Sequence, residues 1–127
     1  MNEQTEKLIP VVYIAGPFRA ETPYDVVQNI RVAEAAALRV WRAGMVALCP
    51  HLNTANFSGA APDEIWLEGD LEMLKRCDAV LLVGNWSESK GATEEYAQAS
   101  KLNLPCSSDV ARLQQIFRDD PNYRLMR

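Results

Sequence analysis

Histidine is nearly absent from this 127-residue chain, with His51 the sole copy, and the three cysteines, Cys49, Cys77 and Cys106, stand far apart. Neither set has the close spacing of a zinc site. An odd number of scattered cysteines beside apolar segments reads as reduced, buried thiols, so a reducing compartment is expected. A basic excess is missing too, since the net charge is −4 and the pI about 5.0. The chain therefore lacks the electrostatic footprint of a protein that binds duplex nucleic acid or an anionic membrane surface. No apolar run approaches the roughly 20 residues needed to span a bilayer. The first seven residues are polar and include Glu3 and Glu6, unlike a signal or transit peptide, so a cytoplasmic location is expected. Repeats and low-complexity segments are absent. A single domain over residues 1–127, with a tail from about 119 to 127, is expected to bury its core without disulfides or a structural metal. Small-molecule chemistry is the class that fits best.

Short apolar runs alternate with helical patterns. Residues 11–15 (VVYIA) read as a strand buried on both faces and closed by Gly16-Pro17. From about residue 25 to 43, Val26, Val27, Ile30, Ala33, Ala37, Val40 and Trp41 recur at helical spacing, and Gly44 supplies the stop. Residues 45–49 form a second strand ended by Pro50, and residues 51–62, rich in Asn, Ser, Gly and Pro, a long loop of the functional kind. A helix over residues 63–77 leads to the clearest buried strand, 79–84, opened by Asp78 as a turn residue. After a further helix, a weak fourth strand is expected at residues 103–106, and Ser107 or Ser108 is expected to cap a last helix to about Phe117. Nearly continuous apolar strands alternating with helices imply right-handed crossovers. The predicted fold is an α/β, flavodoxin- or Rossmann-like three-layer sandwich with four or five parallel strands. Ligands bind such sheets outside the carboxyl ends of the strands, where Gly16 to Arg19, Pro50 to Asn53 and Asn85 to Gly91 fall.

Two carboxylates break the apolar faces of successive helices. In the helix that opens near Ser89, Ala92, Glu95, Tyr96, Ala99 and Leu102 share one stripe, while Glu94, Gln98 and Lys101 share the solvent stripe. In the helix before it, Asp70 falls amid Trp66, Leu67, Leu71, Met73, Leu74 and Cys77. A carboxylate taken from water without partners is costly or shifts its pKa, and such placements are enriched at functional sites. Each acidic residue alone could serve a helix terminus or an internal pair. Together they predict a shared pocket.

The chain resembles the nucleoside 2-deoxyribosyltransferase-like proteins, which include deoxynucleoside 5′-monophosphate N-glycosidases. The resemblance rests on Tyr13-Ile14-Ala15-Gly16-Pro17-Phe18, on Asp70-Leu71 with Leu74 and Asp78, and on Ser89-Lys90-Gly91-Ala92-Thr93-Glu94-Glu95 with Ala99, over about residues 11–105. It implies that Glu95, four residues after the Gly of the Ser-x-Gly turn, is the nucleophile. It implies too that Asp70, eight residues before Asp78, assists leaving-group or base chemistry. A homo-oligomer is implied, and in several members the tail of a neighbouring subunit completes the site. The chain departs from the monophosphate-binding pattern at Pro17 and Phe18, where a small donor is wanted, and between Asp78 and Glu95, which is longer by about one residue. Arg19, Ser87 and Ser89 remain as phosphate-ligand candidates.

Cleaving an N-glycosidic bond passes through an oxocarbenium-like sugar, so one carboxylate can bond to the anomeric carbon while a second acid serves the departing base. Neither a cofactor nor a metal is required. The expected function is cleavage or transfer of the N-glycosidic bond of a (deoxy)nucleoside or nucleoside 5′-monophosphate. The alternative is a module on the same fold that binds a nucleotide or nucleotide-derived signal without cleaving it. Gly16, Phe18, Arg19, His51, Asn53, Trp86, Ser87, Ser89 and Gly91 are candidate substrate contacts. Trp86 is a candidate to stack on a base, a contact worth about 1–3 kcal/mol in single-strand binders. Serines before a helix cap it or hold an anion through the same amides. Tyr13 and Trp41 read as core.

Overall fold

Side-chain alternation along the first strand divides the molecule into two cores. In the computed structural model, which describes residues 6–127, β1 spans Val11–Ala15. Val12 and Ile14 face one side of the sheet, with Ala33, Ala36, Ala37, Val40, Leu113 and Phe117. Tyr13 and Ala15 face the other, with Leu74, Cys77 and Ala99. Most of the polar segment read as neither a signal nor a transit peptide lies outside the described residues.

The remaining elements follow in order. Helix α1 is Pro23–Arg42, β2 Val46–Leu48, α2 Pro50–Asn53, α3 Asp63–Leu74, β3 Ala79–Leu82, α4 Lys90–Lys101, β4 Cys106–Ser107 and α5 Val110–Asp119. All pairings are parallel and the sheet order is β2-β1-β3-β4. Helices α1 and α5 cover one face and α3 and α4 the other, giving three layers with the order reversing at β1. The loops after β1 and β3 therefore diverge at a topological switch point, the usual ligand crevice of such sheets.

Capping chemistry sets the helix boundaries. Thr22 accepts from the Asp25 amide, which with Pro23 at the first helical position starts α1 two residues before the apolar periodicity begins. Ser89 accepts from the Ala92 amide and starts α4. Asp109, rather than Ser107 or Ser108, caps α5 through the Ala111 amide, while Ser107 Oγ accepts from the Asp109 amide in the preceding turn. The expected long loop at 51–62 begins as α2, because Pro50 at its first position has its φ preset for helix and Leu52 and Asn53 donate to the Cys49 carbonyl. The fourth strand lies at Cys106–Ser107, later than the 103–106 read from the apolar run, because Asn103, at φ 60°, turns the chain after α4. Trp41, expected in the core, is 47% exposed, since α1 buries its alanine stripe instead.

The tail is held at the amino ends of the strands. Leu8 and Tyr123 form a parallel bridge, Tyr123 donates to Asp78 Oδ1 at 2.8 Å, and the Val11 amide donates to Asp78 Oδ2 at 2.8 Å. Asp78 is thus a structural clamp between strand, tail and turn. The Met126 amide donates to the Gly44 carbonyl at 2.8 Å. Gly44 sits at φ +88°, and an added Cβ would come within 2.6 Å of the Met126 carbonyl oxygen, so glycine is demanded twice there. No helix among the described residues is long and apolar enough to cross a membrane.

Candidate functional site

Gly16 follows β1 where the chain passes against Val83, the residue after β3. A Cβ there would lie 2.5 Å from Val83 Cγ2 and 3.0 Å from the Val83 carbonyl oxygen, so a side chain would push the loop away from the sheet. Three contacts then hold this loop. Asn29 donates to the Phe18 carbonyl at 3.2 Å, His51 Nε2 donates to the Pro17 carbonyl at 2.9 Å, and Arg19 pairs with Asp63 at 2.6 Å. The Phe18 ring meets His51 edge to face at 5.7 Å.

Beyond the loop lies a cavity of about 700 Å³, within the range of small-molecule sites. Its walls come from the β1 loop, the first turns of α1, α2, α3 and the start of α4, and both Asp70 and Glu95 line it. Asp70 is carried by the face of α3 that also presents Trp66, Leu67 and Leu71 to the cavity. Part of that apolar stripe is left facing the cavity, and Leu67 stays exposed.

The fully buried Tyr13 reaches across from the sheet and its hydroxyl donates to Glu95 Oε2. A buried hydroxyl without a partner costs about 1–3 kcal/mol, so this contact satisfies the tyrosine while it fixes the carboxylate. Burial lifts the Glu95 carboxyl to about 7; the Tyr13 hydrogen bond opposes that rise, and the charges of Asp70 and Glu94 add to it. Burial likewise lifts Asp70 to about 6. Tyr13 is driven far above the ordinary phenol range by burial and then by Glu95, so it is a fixed donor. The pair of carboxyls changes protonation near neutral pH, where acid/base chemistry in water operates.

Gly16, Phe18, Arg19, His51, Ser89 and Gly91 line the cavity with the two carboxylates. Asn53, Trp86 and Ser87 are not among its lining residues. Asn53 borders a shallow groove with Trp41 and Leu52, Trp86 packs on Tyr96 with ring centroids 5.1 Å apart, and Ser87 is exposed in the short turn Trp86–Glu88. His51 is buried, not a surface loop residue, with its Nδ1 unpaired and its pKa lowered chiefly by burial. Its role in this arrangement is to tie down the β1 loop.

The contribution of Tyr13 was missed in the sequence because an apolar strand hides it. Two signals marked it: a buried tyrosine needs a partner for its hydroxyl, and strand alternation turns position 13 to the same side as Ala15. Glu94, read as solvent-facing, is exposed yet borders the cavity mouth, as do Lys90 and Glu88. No group of three or more His, Cys, Asp and Glu side chains placed to hold a metal ion occurs among the described residues.

A search of the curated proteins finds no match. Residues 10–107, from just before β1 to the end of β4 and so including every wall of the cavity, match the model of a domain of unknown function, DUF4406. The chain belongs to the DUF4406 family.

Proposed function

We propose that this protein cleaves or transfers the N-glycosidic bond of a (deoxy)nucleoside or nucleotide in a reducing compartment such as the cytoplasm, with Glu95 as nucleophile and Asp70 as acid/base. The observation that carries the reading is the meeting of Asp70 and Glu95 in one cavity, with Tyr13 bonded to Glu95. The resemblance to nucleoside 2-deoxyribosyltransferase-like proteins selects the same two residues, and the unpaired Cys49, Cys77 and Cys106 suit a reducing compartment.

Ionised Glu95 attacks C1′ of the bound sugar while the C1′–N bond breaks and its electron pair passes to the base. Tyr13 holds the carboxylate in place and favours its charged form. Asp70, partly protonated near neutral pH, gives its proton to a neutral base as it leaves. Water then attacks C1′ of the ester, Asp70 takes the proton, and Glu95 departs as carboxylate. An acceptor base in place of water gives transfer.

The test is chromatographic detection of free base from a panel of ribo- and deoxyribonucleosides and their 5′-monophosphates, with and without an acceptor base. Base release is expected for at least one class. Ligand-induced thermal stabilisation without base release would instead establish a non-catalytic binding module.

A further inference from the structure

Seven Asp and Glu side chains line the cavity against two Lys and Arg. Glu21, Asp25, Glu88 and Glu94 are exposed around the mouth, whereas Asp70 and Glu95 lie deeper. The seventh, Asp63, is 2.6 Å from Arg19 and neutralises it. Lys90, exposed in the first turn of α4, is then the one cation among the described lining residues without a carboxylate partner. The α4 amino end offers an anion only the Lys90 and Gly91 amides, because the Ala92 and Thr93 amides already donate to Ser89. Such a lining repels a phosphate dianion and attracts positive charge. Phe18 and Trp66 add aromatic surface that favours a cation further.

Resting on the N-glycosidase reading, we infer that the cavity ranks N-glycosides by charge, taking those with a cationic base best, neutral nucleosides next and 5′-monophosphates least. The chemistry is consistent with the ranking. When the base is cationic, the C1′–N electron pair neutralises it, a bond forms between Glu95 and C1′, and no proton need be supplied. Water then cleaves the ester, restoring the Glu95 carboxylate and releasing one proton.

Binding is measured by isothermal titration at pH 6.5 with matched triads: 1-methyladenosine, adenosine and adenosine 5′-monophosphate, and the corresponding 7-methylguanosine, guanosine and guanosine 5′-monophosphate. Each nucleoside is expected to bind at least tenfold tighter than its monophosphate, and the methylated cation tighter still. Glu21→Lys combined with Glu88→Lys is expected to narrow the nucleoside-to-monophosphate ratio severalfold. Equal or tighter binding of the monophosphate, an unchanged ratio in the variant, or no binding of any member would overturn the ranking. Binding in the expected order without base release would refute the catalytic reading and leave the ranking standing.

The outer face of α1 carries an independent pattern. Tyr24, Val27, Arg31, Glu34, Leu38 and Trp41 are all exposed and recur at alternating steps of three and four, a single helical seam. The seam is self-complementary when reversed. The geometry points to two copies of the chain pairing across a two-fold axis through antiparallel α1 helices. Tyr24 would then meet Trp41 of the partner subunit, Val27 would meet Leu38 of the partner subunit, and Arg31 would meet Glu34 of the partner subunit. Sedimentation equilibrium is expected to give a dimer for the natural chain, a monomer for Arg31→Glu, and a dimer again when Arg31→Glu is joined by Glu34→Arg. A monomeric natural chain, or a double variant no more dimeric than Arg31→Glu, would overturn this pairing.

Discussion

Burial and hydrogen bonding pull the Glu95 carboxyl in opposite directions, which makes the Tyr13 hydroxyl a testable control. Tyr13→Phe removes a donor to a charged group, a contact worth about 1.5–3 kcal/mol, so kcat should fall roughly ten- to a hundredfold. The Glu95 pKa should rise further, moving the optimum of the kcat/KM profile to higher pH. An unmoved optimum would contradict the role given to the hydroxyl. Glu95 also opposes stability. The folded chain holds its proton up to about pH 7, against an ordinary value of 4.5, so the unfolded chain loses the proton first. Stability from this group is therefore full below about pH 4.5 and declines as pH rises through 7. Glu95→Gln should be more stable than the natural chain at pH 8, by on the order of 1–3 kcal/mol in urea unfolding. At pH 4 the two should be alike. These inward carboxylates were legible in the sequence because a charge on an apolar stripe stands out against a 3.6-residue period. Tyr13 was not, since a tyrosine in a buried strand satisfies the apolar pattern whether or not its hydroxyl has a task.

At the scale of elements, turns decide where the site and the tail lie. Asp78 receives both the Val11 amide and the Tyr123 hydroxyl, so Asp78→Ala strands two polar groups at the amino edge of the sheet. A loss of about 2–4 kcal/mol is expected in urea unfolding, together with faster hydrogen exchange over residues 120–127. An exchange rate unchanged in the tail would refute the clamp. Helix order and strand order were readable because apolar runs and helical periods alternate cleanly along the chain. The details that escaped come from side chains acting over longer distances. Pro50 converts the start of a polar loop into α2, and His51 within it is drawn inward by the Pro17 carbonyl. Such a contact joins residues 34 positions apart and leaves no local period. The tail escaped for the same reason, since Tyr123, Leu125 and Met126 pack on sites set by Asp78, Gly44 and Leu8.

For the molecule as a whole, the sheet separates two tasks. Its amino edge is closed by the chain's own tail, while its carboxyl edge opens into the cavity. This tail is therefore anchored away from its own site. With Asp70 near 6 and Glu95 near 7, kcat/KM on a neutral nucleoside should follow a bell with an optimum near pH 6.5. A flat profile from pH 5 to 8 would contradict two titrating carboxyls in the reaction. The central claim is that Glu95 forms the bond to the sugar, and the most direct measurement is the rate of free-base release by the natural chain and by Glu95→Gln, side by side on the best nucleoside found. A loss of roughly a thousandfold or more is expected, with the variant still folded and binding the nucleoside. Release within a few fold of the natural rate would contradict it.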